Sequence, residues 1–176
     1  MKSIILSHLG HFDLVDEPLL AHPGTDEVLV RVRRVGICGT DLHAFTGTQP
    51  FFTYPRILGH ELAVEVVEIG VTTNPHDLKI GDVGCIRPYL NCGVCEACRR
   101  GFENACMQLQ VLGVHRDGGM RELINVPLDK IHKSILLEDE ELALVEMLSI
   151  GCHAVRRANI VPGEWALIAD YRLLHV

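Results

Sequence analysis

The sequence predicts a mainly β domain with short helices and one metal-binding lobe. Residues 27–35 alternate between apolar and charged side chains, with Val28, Val30 and Val32 on one side, which is typical of a half-buried antiparallel strand. Residues 62–70 form a second segment rich in Val, which favours another strand. The third observation is a group of four closely spaced cysteines, which predicts a projection that a metal ion stabilises.

Length, composition and charge limit the classes of protein that fit. A chain of 176 residues is enough for one domain, or for one domain and a fragment of a second. The net charge of −7 argues against nucleic acid or an anionic membrane surface as a partner. No apolar run approaches the roughly 20 residues that a membrane span needs, and the apolar start is too short for a signal peptide. Because four of the seven cysteines have metal-ligand spacing, we expect a reducing compartment and a cytoplasmic protein.

The lobe has the spacing C-x2-C-x2-C-x7-C, formed by Cys92, Cys95, Cys98 and Cys106. Zn²⁺ accepts four thiolates in a tetrahedral shell at about 2.3 Å, and such a shell leaves no position for a substrate. Free thiols, disulfides and an iron–sulfur cluster are the alternatives. Bacterial ferredoxins use C-x2-C-x2-C-x3-C-P, whereas here the last gap is seven residues and Met107 follows. We therefore predict a structural zinc site.

A polar cluster follows the strands that are predicted over residues 1–37. Cys38, Asp41 and Leu42 could lie on one turn of a helix and face a common point. His43 adds an imidazole to the same segment. A lone Cys or His is more often a core or surface residue, but a cluster of such groups is a candidate site.

The segments that follow carry further polar and aromatic groups. Residues 44–58 are predicted as a loop whose aromatic side chains either pack locally or form the wall of a pocket. His60 and Glu61 stand at the entrance of a strand, and we expect them on opposite sides of the chain. Residues 138–141 are acidic and precede an apolar periodic segment, which predicts a helix with acids at its N-terminus.

Taken in order, these motifs resemble the medium-chain zinc alcohol and polyol dehydrogenases. The resemblance is to their N-terminal GroES-like catalytic domain, and its motifs are Cys38-Gly39-Thr40-Asp41-x-His43, Gly59-His60-Glu61, Gly81-Asp82, the four cysteines, Gly118-Gly119-Met120, Glu146-x-Leu148-Ser149-Ile150-Gly151 and His153-Ala154-Val155-Arg156-Arg157. It implies a GroES-like β-barrel over residues 1–146 with the zinc lobe at 88–107. A linker helix and the first strand of a truncated Rossmann domain would follow over 147–169, and residues 170–176 would be a tail outside the family pattern.

The resemblance also implies a second, catalytic zinc, held by Cys38, His60 and a carboxylate from Glu61 or Glu146. With three protein ligands, a fourth position stays open, and there the ion acts as a Lewis acid on an alcohol or carbonyl oxygen.

The implied activity is oxidation of a secondary alcohol or polyol to the ketone, through a zinc-bound alkoxide and with NAD or NADP. Thr40 corresponds to the hydroxyl that contacts the substrate oxygen, and His43 to the histidine that relays the proton. A small alcohol or polyol is therefore the expected ligand, and a homo-oligomer is a possible assembly.

Some positions depart from the family pattern. Val64 stands where a glycine is usual, Gly84 where a valine is usual, and Met147 where a proline is usual. A β-branched residue at position 64 predicts an altered backbone or closer packing near the catalytic strand. The two remaining cysteines, Cys85 and Cys152, match no ligand position, and we expect both in the core.

The C-terminal segment determines what this chain is expected to do alone. Residues 165–169 resemble the first strand of a dinucleotide-binding fold, but no G-x-G-x-x-G occurs in the sequence. From Asp170 onward the sequence no longer resembles the family pattern, and our hypothesis is a frameshift or a truncated gene. We therefore expect no saturable NAD(H) binding and no turnover by the chain alone, with NAD or NADP bound only by a full-length parent.

Two other functions are alternatives to a dehydrogenase domain. The chain could be an inactive remnant that serves only as a zinc-binding structural or assembly module. A chaperonin-like ring, which the fold name suggests, is disfavoured because such a ring needs a mobile binding loop and no polar metal cluster.

Overall fold

The computed structural model describes residues 1–50, 52–73 and 76–167. Strands and helices follow in the order β1 (Lys2–His8), β2 (His11–Asp16), β3 (Glu27–Gly36), α1 (Gly39–Thr46), β4 (Arg56–Ile57), β5 (Glu61–Ile69), β6 (Val83–Ile86), β7 (Tyr89–Leu90), α2 (Glu96–Arg99), β8 (Gln110–Val111), β9 (Leu123–Pro127), β10 (Ile131–Lys133) and α3 (Asp139–Ala158). Short 3₁₀ turns lie at Glu103–Ala105 and Leu128–Lys130. The prediction of a mainly β fold with short helices is confirmed.

Strand β3 lies inside the largest sheet of the described residues, whose order is β10-β6-β5-β3-β9. Val28 and Val30 are fully buried and pack with Leu62, Val64 and Ile124 in the main apolar core. Their period of two places the valines on the core side and leaves the intervening Arg31 and Arg33 exposed, as the alternation predicts.

The segment 44–58 differs from the predicted loop. Helix α1 continues to Thr46, and residues 56–57 form strand β4, which pairs with β1. Phe45, Phe52 and Tyr54 pack against a separate buried cluster of Leu6, Ala44 and Leu58, whereas Phe51 lies outside the described residues. The described aromatic side chains therefore serve local packing.

The backbone beside Val64 is irregular, which is one of the two consequences expected at this position, because the β3–β5 register shifts between Val32, the partner of Val64, and Arg34, the partner of Ala63. Val64 is fully buried and stands opposite Gly84 in the unbroken β5–β6 register from Ala63 to Glu65. A Cβ atom on Gly84 would lie only 2.9 Å from the Cα atom of Lys133 on β10. Gly84 thus lets β10 approach β6 closely along the edge of β6 that faces away from β5.

Helix α3 begins after Glu138, and its first turn contains three acids, as predicted. Leu142 and Ala143 are buried against a small cluster that includes Ala63 and Cys85. Arg33 on β3 holds the helix start through a 2.9 Å ion pair with Asp139. The helix therefore packs on the sheet by its first two turns.

The distal part of α3 corrects one expectation. Cys85 is buried as expected, but Cys152 is exposed, because residues 151–158 extend beyond the sheet. Residues 165–167 of the predicted Rossmann strand are exposed and not in a strand, and 168–176 lie outside the described residues. Among the described residues, no helix combines the length and apolarity needed to cross a bilayer.

Candidate metal centres

The four cysteines of the lobe converge on one point. The Sγ atoms of Cys92, Cys95, Cys98 and Cys106 all lie within 4.8 Å of one another, and every cysteine of the chain has a free thiol. Gly93 allows the turn between the first two ligands, because its φ of +73° is a left-handed conformation that a glycine adopts without strain. We refer to these residues as the four-cysteine centre.

The backbone around the lobe favours thiolates. The amides of Cys92 and Gln108 both donate to Cys106 Sγ at 3.3 Å. Hydrogen bonds from the amides of Cys98 and Met107 lower the pKa of Cys95 to about 6. Because metal ligation requires deprotonated sulfur, this arrangement suits a thiophilic divalent ion. Zn²⁺ fits a closed set of four sulfurs.

The pKa of Cys98 shifts the other way. Desolvation and the neighbouring Cys95 and Cys106 thiols raise it to about 11. The closely spaced thiols thus oppose full deprotonation when no ion is bound, because adjacent thiolates repel. A bound cation would offset this repulsion and allow all four thiols to deprotonate.

A second cluster brings together residues far apart in the chain. One ligand atom each from Cys38, His60 and Glu61 lies within 4.8 Å of the others. Cys38 precedes α1, while His60 and Glu61 stand where the chain enters β5. The expectation that His60 and Glu61 point to opposite sides is wrong, because His60 precedes the strand and Gly59 turns the chain with a φ of +93°. We refer to these residues as the dispersed centre.

Charges in the dispersed centre are arranged for a metal. His60 hydrogen-bonding lowers the pKa of the Cys38 thiol against the opposing effect of burial. Burial lowers the pKa of His60, but contact with Cys38 and the charge of Asp41 outweigh it, so the net change is upward. Thiolate, imidazole and carboxylate are the donor types of a catalytic zinc, and three of them leave a position open.

Asp41 contacts two residues of the dispersed centre, Cys38 and His60, a role that the sequence does not assign to it. Its buried carboxylate accepts the backbone N–H of Cys38 at Oδ2 (2.9 Å). Its Oδ1 lies 3.9 Å from Nδ1 of His60, and both atoms are buried without a hydrogen bond. A ligating histidine usually directs its other nitrogen at a carboxylate, so this pair fits an imidazole that a metal would hold. Leu42 is exposed, which corrects the expectation that it faces the site.

The two candidate carboxylates, Glu61 and Glu146, stand in different surroundings. Glu61 is buried and stands opposite Gly36 in the β3–β5 register. A Cβ atom on Gly36 would lie 2.8 Å from the Cβ atom of Glu61, so the glycine makes the space that the glutamate occupies. Glu146 is outside the three-residue group, and its Oε1 accepts the hydroxyl of Tyr89 at 2.9 Å.

Tyr89 and Glu146 stand at the edge of the dispersed centre. Burial, followed by the Glu146 carboxylate, raises the pKa of Tyr89. The Glu146 charge also contributes to the raised pKa of His60, which places the carboxylate within electrostatic reach. Both side chains line a cavity of about 200 Å³ together with Ser149. Sequence reasoning missed Tyr89, since nothing in its local pattern marks it.

The two predicted proton-transfer residues differ in position. The Oγ1 atom of Thr40 is 3.7 Å from Cys38 Sγ, so its hydroxyl borders the dispersed centre. His43 is exposed, and its Nδ1 lies 2.9 Å from Oγ1 of Thr48 just beyond the helix. Thr40 is therefore beside Cys38 of the dispersed centre, and His43 faces solvent.

Comparison with known proteins shows which family the sequence of this chain is similar to. The family model for the alcohol dehydrogenase GroES-like domain matches residues 24–136. L-galactonate-5-dehydrogenase of Escherichia coli (strain K12) is 47% identical over 146 residues, which are 83% of this chain and 42% of that protein. An uncharacterized zinc-type alcohol dehydrogenase-like protein of Haemophilus influenzae is 41% identical over 146 residues, 81% of this chain and 42% of its own length.

A solved structure extends the similarity to the fold. The alcohol dehydrogenase from E. coli CFT073 in complex with NADH superposes with a TM-score of 0.81 at 30% identity, over 90% of this chain and 46% of that one. The chain thus spans less than half the length of the relatives that it matches.

Proposed function

Because the chain belongs to the alcohol dehydrogenase GroES-like domain family, we propose that it forms the metal-holding, alcohol-binding part of a zinc-dependent dehydrogenase. The observation that carries the proposal is the convergence of Cys38, His60 and Glu61, three donors of different chemistry, beside the unpartnered buried atoms of Asp41 and His60.

Each residue has a distinct part in this proposal. Cys38, His60 and Glu61 would hold the ion, and Gly36 gives Glu61 its place. When bound, zinc supplies Lewis-acid polarisation of a hydroxyl or carbonyl oxygen. The four-cysteine centre would hold its own zinc and stabilise the lobe, because a closed shell has no room for a substrate.

The hydroxyl of Thr40 would accept the proton of the substrate alcohol. Its position beside Cys38 supports this role, since a proton acceptor must be within hydrogen-bond reach of the reacting oxygen. His43 would pass the proton to solvent, and the exposure of its imidazole suits that step. The Tyr89 and Glu146 pair would orient hydroxyl groups of the substrate.

The substrate would be a small molecule with a secondary hydroxyl, and a polyol or a sugar acid fits best. L-galactonate, for which a 47% identical relative is named, is a compound of this kind. A nicotinamide cofactor would accept the hydride, as the NADH complex of a similar fold suggests. The whole activity would require the cofactor-binding part that relatives of twice this length contain.

Cobalt substitution tests the proposal, because Co²⁺ takes the place of Zn²⁺ and reports its ligands by visible absorption. We expect L-galactonate or sorbitol to perturb the spectrum of the wild type and to leave that of Cys38→Ser unchanged. A spectrum that neither polyol alters, in a protein that holds ions at both centres, would contradict the proposal. It would favour the zinc-binding structural module instead.

A further inference from the structure

A buried lysine lies next to the lobe. Lys130 is 3% exposed, and its backbone carbonyl accepts the N–H of Arg87 at 2.8 Å, which fixes it to the end of β6. Its Nζ is 2.6 Å from Oδ1 of Asn91 and 2.7 Å from Oδ2 of Asp129. A buried ammonium is costly unless it is paired and hydrogen-bonded, and both contacts are made here.

Asn91 connects this lysine to the four-cysteine centre. The ammonium has only donors, so the amide must turn its oxygen to Lys130 and its nitrogen away from it. That nitrogen, Nδ2, lies 3.9 Å from Sγ of Cys98. Asn91 also directly precedes Cys92. A displacement of Asn91 would therefore affect both Cys98, which its side chain contacts, and Cys92, to which it is bonded.

Cys98 is the ligand for which this contact matters. Cys106 receives two backbone N–H groups, whereas Asn91 supplies a side-chain donor to Cys98. Four thiolates around a divalent ion leave two excess negative charges, which donors and nearby cations stabilise. The ammonium of Lys130 polarises the amide of Asn91, and this makes its N–H a stronger donor.

We propose that Lys130, acting through Asn91, determines how tightly the four-cysteine centre retains its metal ion. Both are positioning residues, since neither is a ligand. The inference depends on metal binding by the four cysteines, and it is independent of the dehydrogenase activity.

The test is the rate of zinc release to a chromogenic chelator, 4-(2-pyridylazo)resorcinol. All variants are made in a Cys38→Ser background, so that release reports the four-cysteine centre alone. Asn91→Asp keeps the size and the Lys130 contact but replaces the donor with a carboxylate. Lys130→Met removes the cation and keeps the apolar stem. Lys133→Met, which removes an exposed lysine of β10, is the matched control.

We expect both variants to release zinc about ten-fold faster or more, the usual range for groups that support metal ligands, and Lys133→Met to match its parent. Lys130→Arg, which keeps a cation at this position, should release zinc more slowly than Lys130→Met. The double variant should release zinc faster than Asn91→Asp alone, because loss of the ammonium leaves the new carboxylate unpaired beside the thiolates.

Cobalt spectra separate positioning from general destabilisation. The thiolate-to-Co²⁺ charge-transfer band should shift in both variants while far-ultraviolet circular dichroism stays that of the parent. Unchanged release rates and bands in Asn91→Asp would overturn the proposal. A double variant that releases zinc no faster than Asn91→Asp alone would also overturn it, and so would a Cys38→Ser protein that binds no zinc.

Discussion

The four-cysteine centre and the dispersed centre are assembled in different ways. The ligands of the first lie within fifteen consecutive residues, and two-residue gaps and a glycine turn bring them together. Those of the second come from the start of α1 and the start of β5, which the fold must bring together. A short spacing thus specifies a site by itself, whereas separated ligands depend on the register of a sheet.

The difference also concerns what each centre does for the protein. The lobe contains little regular structure, so an ion bound there would contribute directly to its folding. The dispersed centre rests on β3 and β5, which the main apolar core already stabilises. An ion at the dispersed centre is therefore available for chemistry.

Removal of a lobe ligand should have the largest effect. We expect Cys106→Ser to lose the structural ion and unfold the lobe, because structural zinc binding contributes on the order of 10 kcal/mol. Calorimetry and hydrogen exchange over residues 88–107 measure this loss. Cys152→Ser, which changes an exposed cysteine, is the matched control and should behave as the wild type. A lobe that stays protected in Cys106→Ser would show that zinc does not hold it.

Weakening the core should affect the two centres unequally. Leu62→Ala, next to Glu61 and 1% exposed, should reduce the free energy of unfolding by about 2–5 kcal/mol through the cavity it leaves. During urea unfolding, the dispersed centre should then release its ion at lower urea, while the lobe ion stays bound. Leu144→Ala, on the exposed face of α3, serves as control. Simultaneous release of both ions would show that the centres are not independent.

A smaller change should affect the dispersed centre alone. Gly36→Ala places a methyl group against Glu61, and we expect about ten-fold weaker zinc binding at that centre. Gly39→Ala is the matched control, because its Cβ atom would meet no atom within 4 Å. Competition titration with a chelator measures both. Equal affinities in the two variants would mean that Glu61 is not a ligand.

These centres also show what sequence reasoning can reach. The four-cysteine centre could be predicted from spacing, since all of its geometry is local. Taken alone, neither Cys38 nor His60 indicates a metal site. Only the ordered motifs of a family indicate that the two belong to one site. The proposal of Glu61 rather than Glu146 as the third ligand rests on the structure, because it depends on the space that Gly36 leaves on a neighbouring strand.

The errors have the same origin. Helical spacing predicts that Leu42 faces the site, and the lack of a matching ligand position predicts that Cys152 lies in the core, but the side of a helix that faces the core depends on its docking. Lys130 has no local pattern that marks its role, and the local cluster that contains Asp41 does not indicate its pairing with His60. Their burial follows from contacts between segments far apart in the chain.

Native mass spectrometry of the zinc content tests the central claim most directly. The account predicts two zinc ions in the wild-type chain and one each in Cys38→Ser and Cys106→Ser, with Cys38→Ser alone retaining a protected lobe. A single ion in the wild type that Cys38→Ser does not remove would contradict it, because the dispersed centre would then hold no metal.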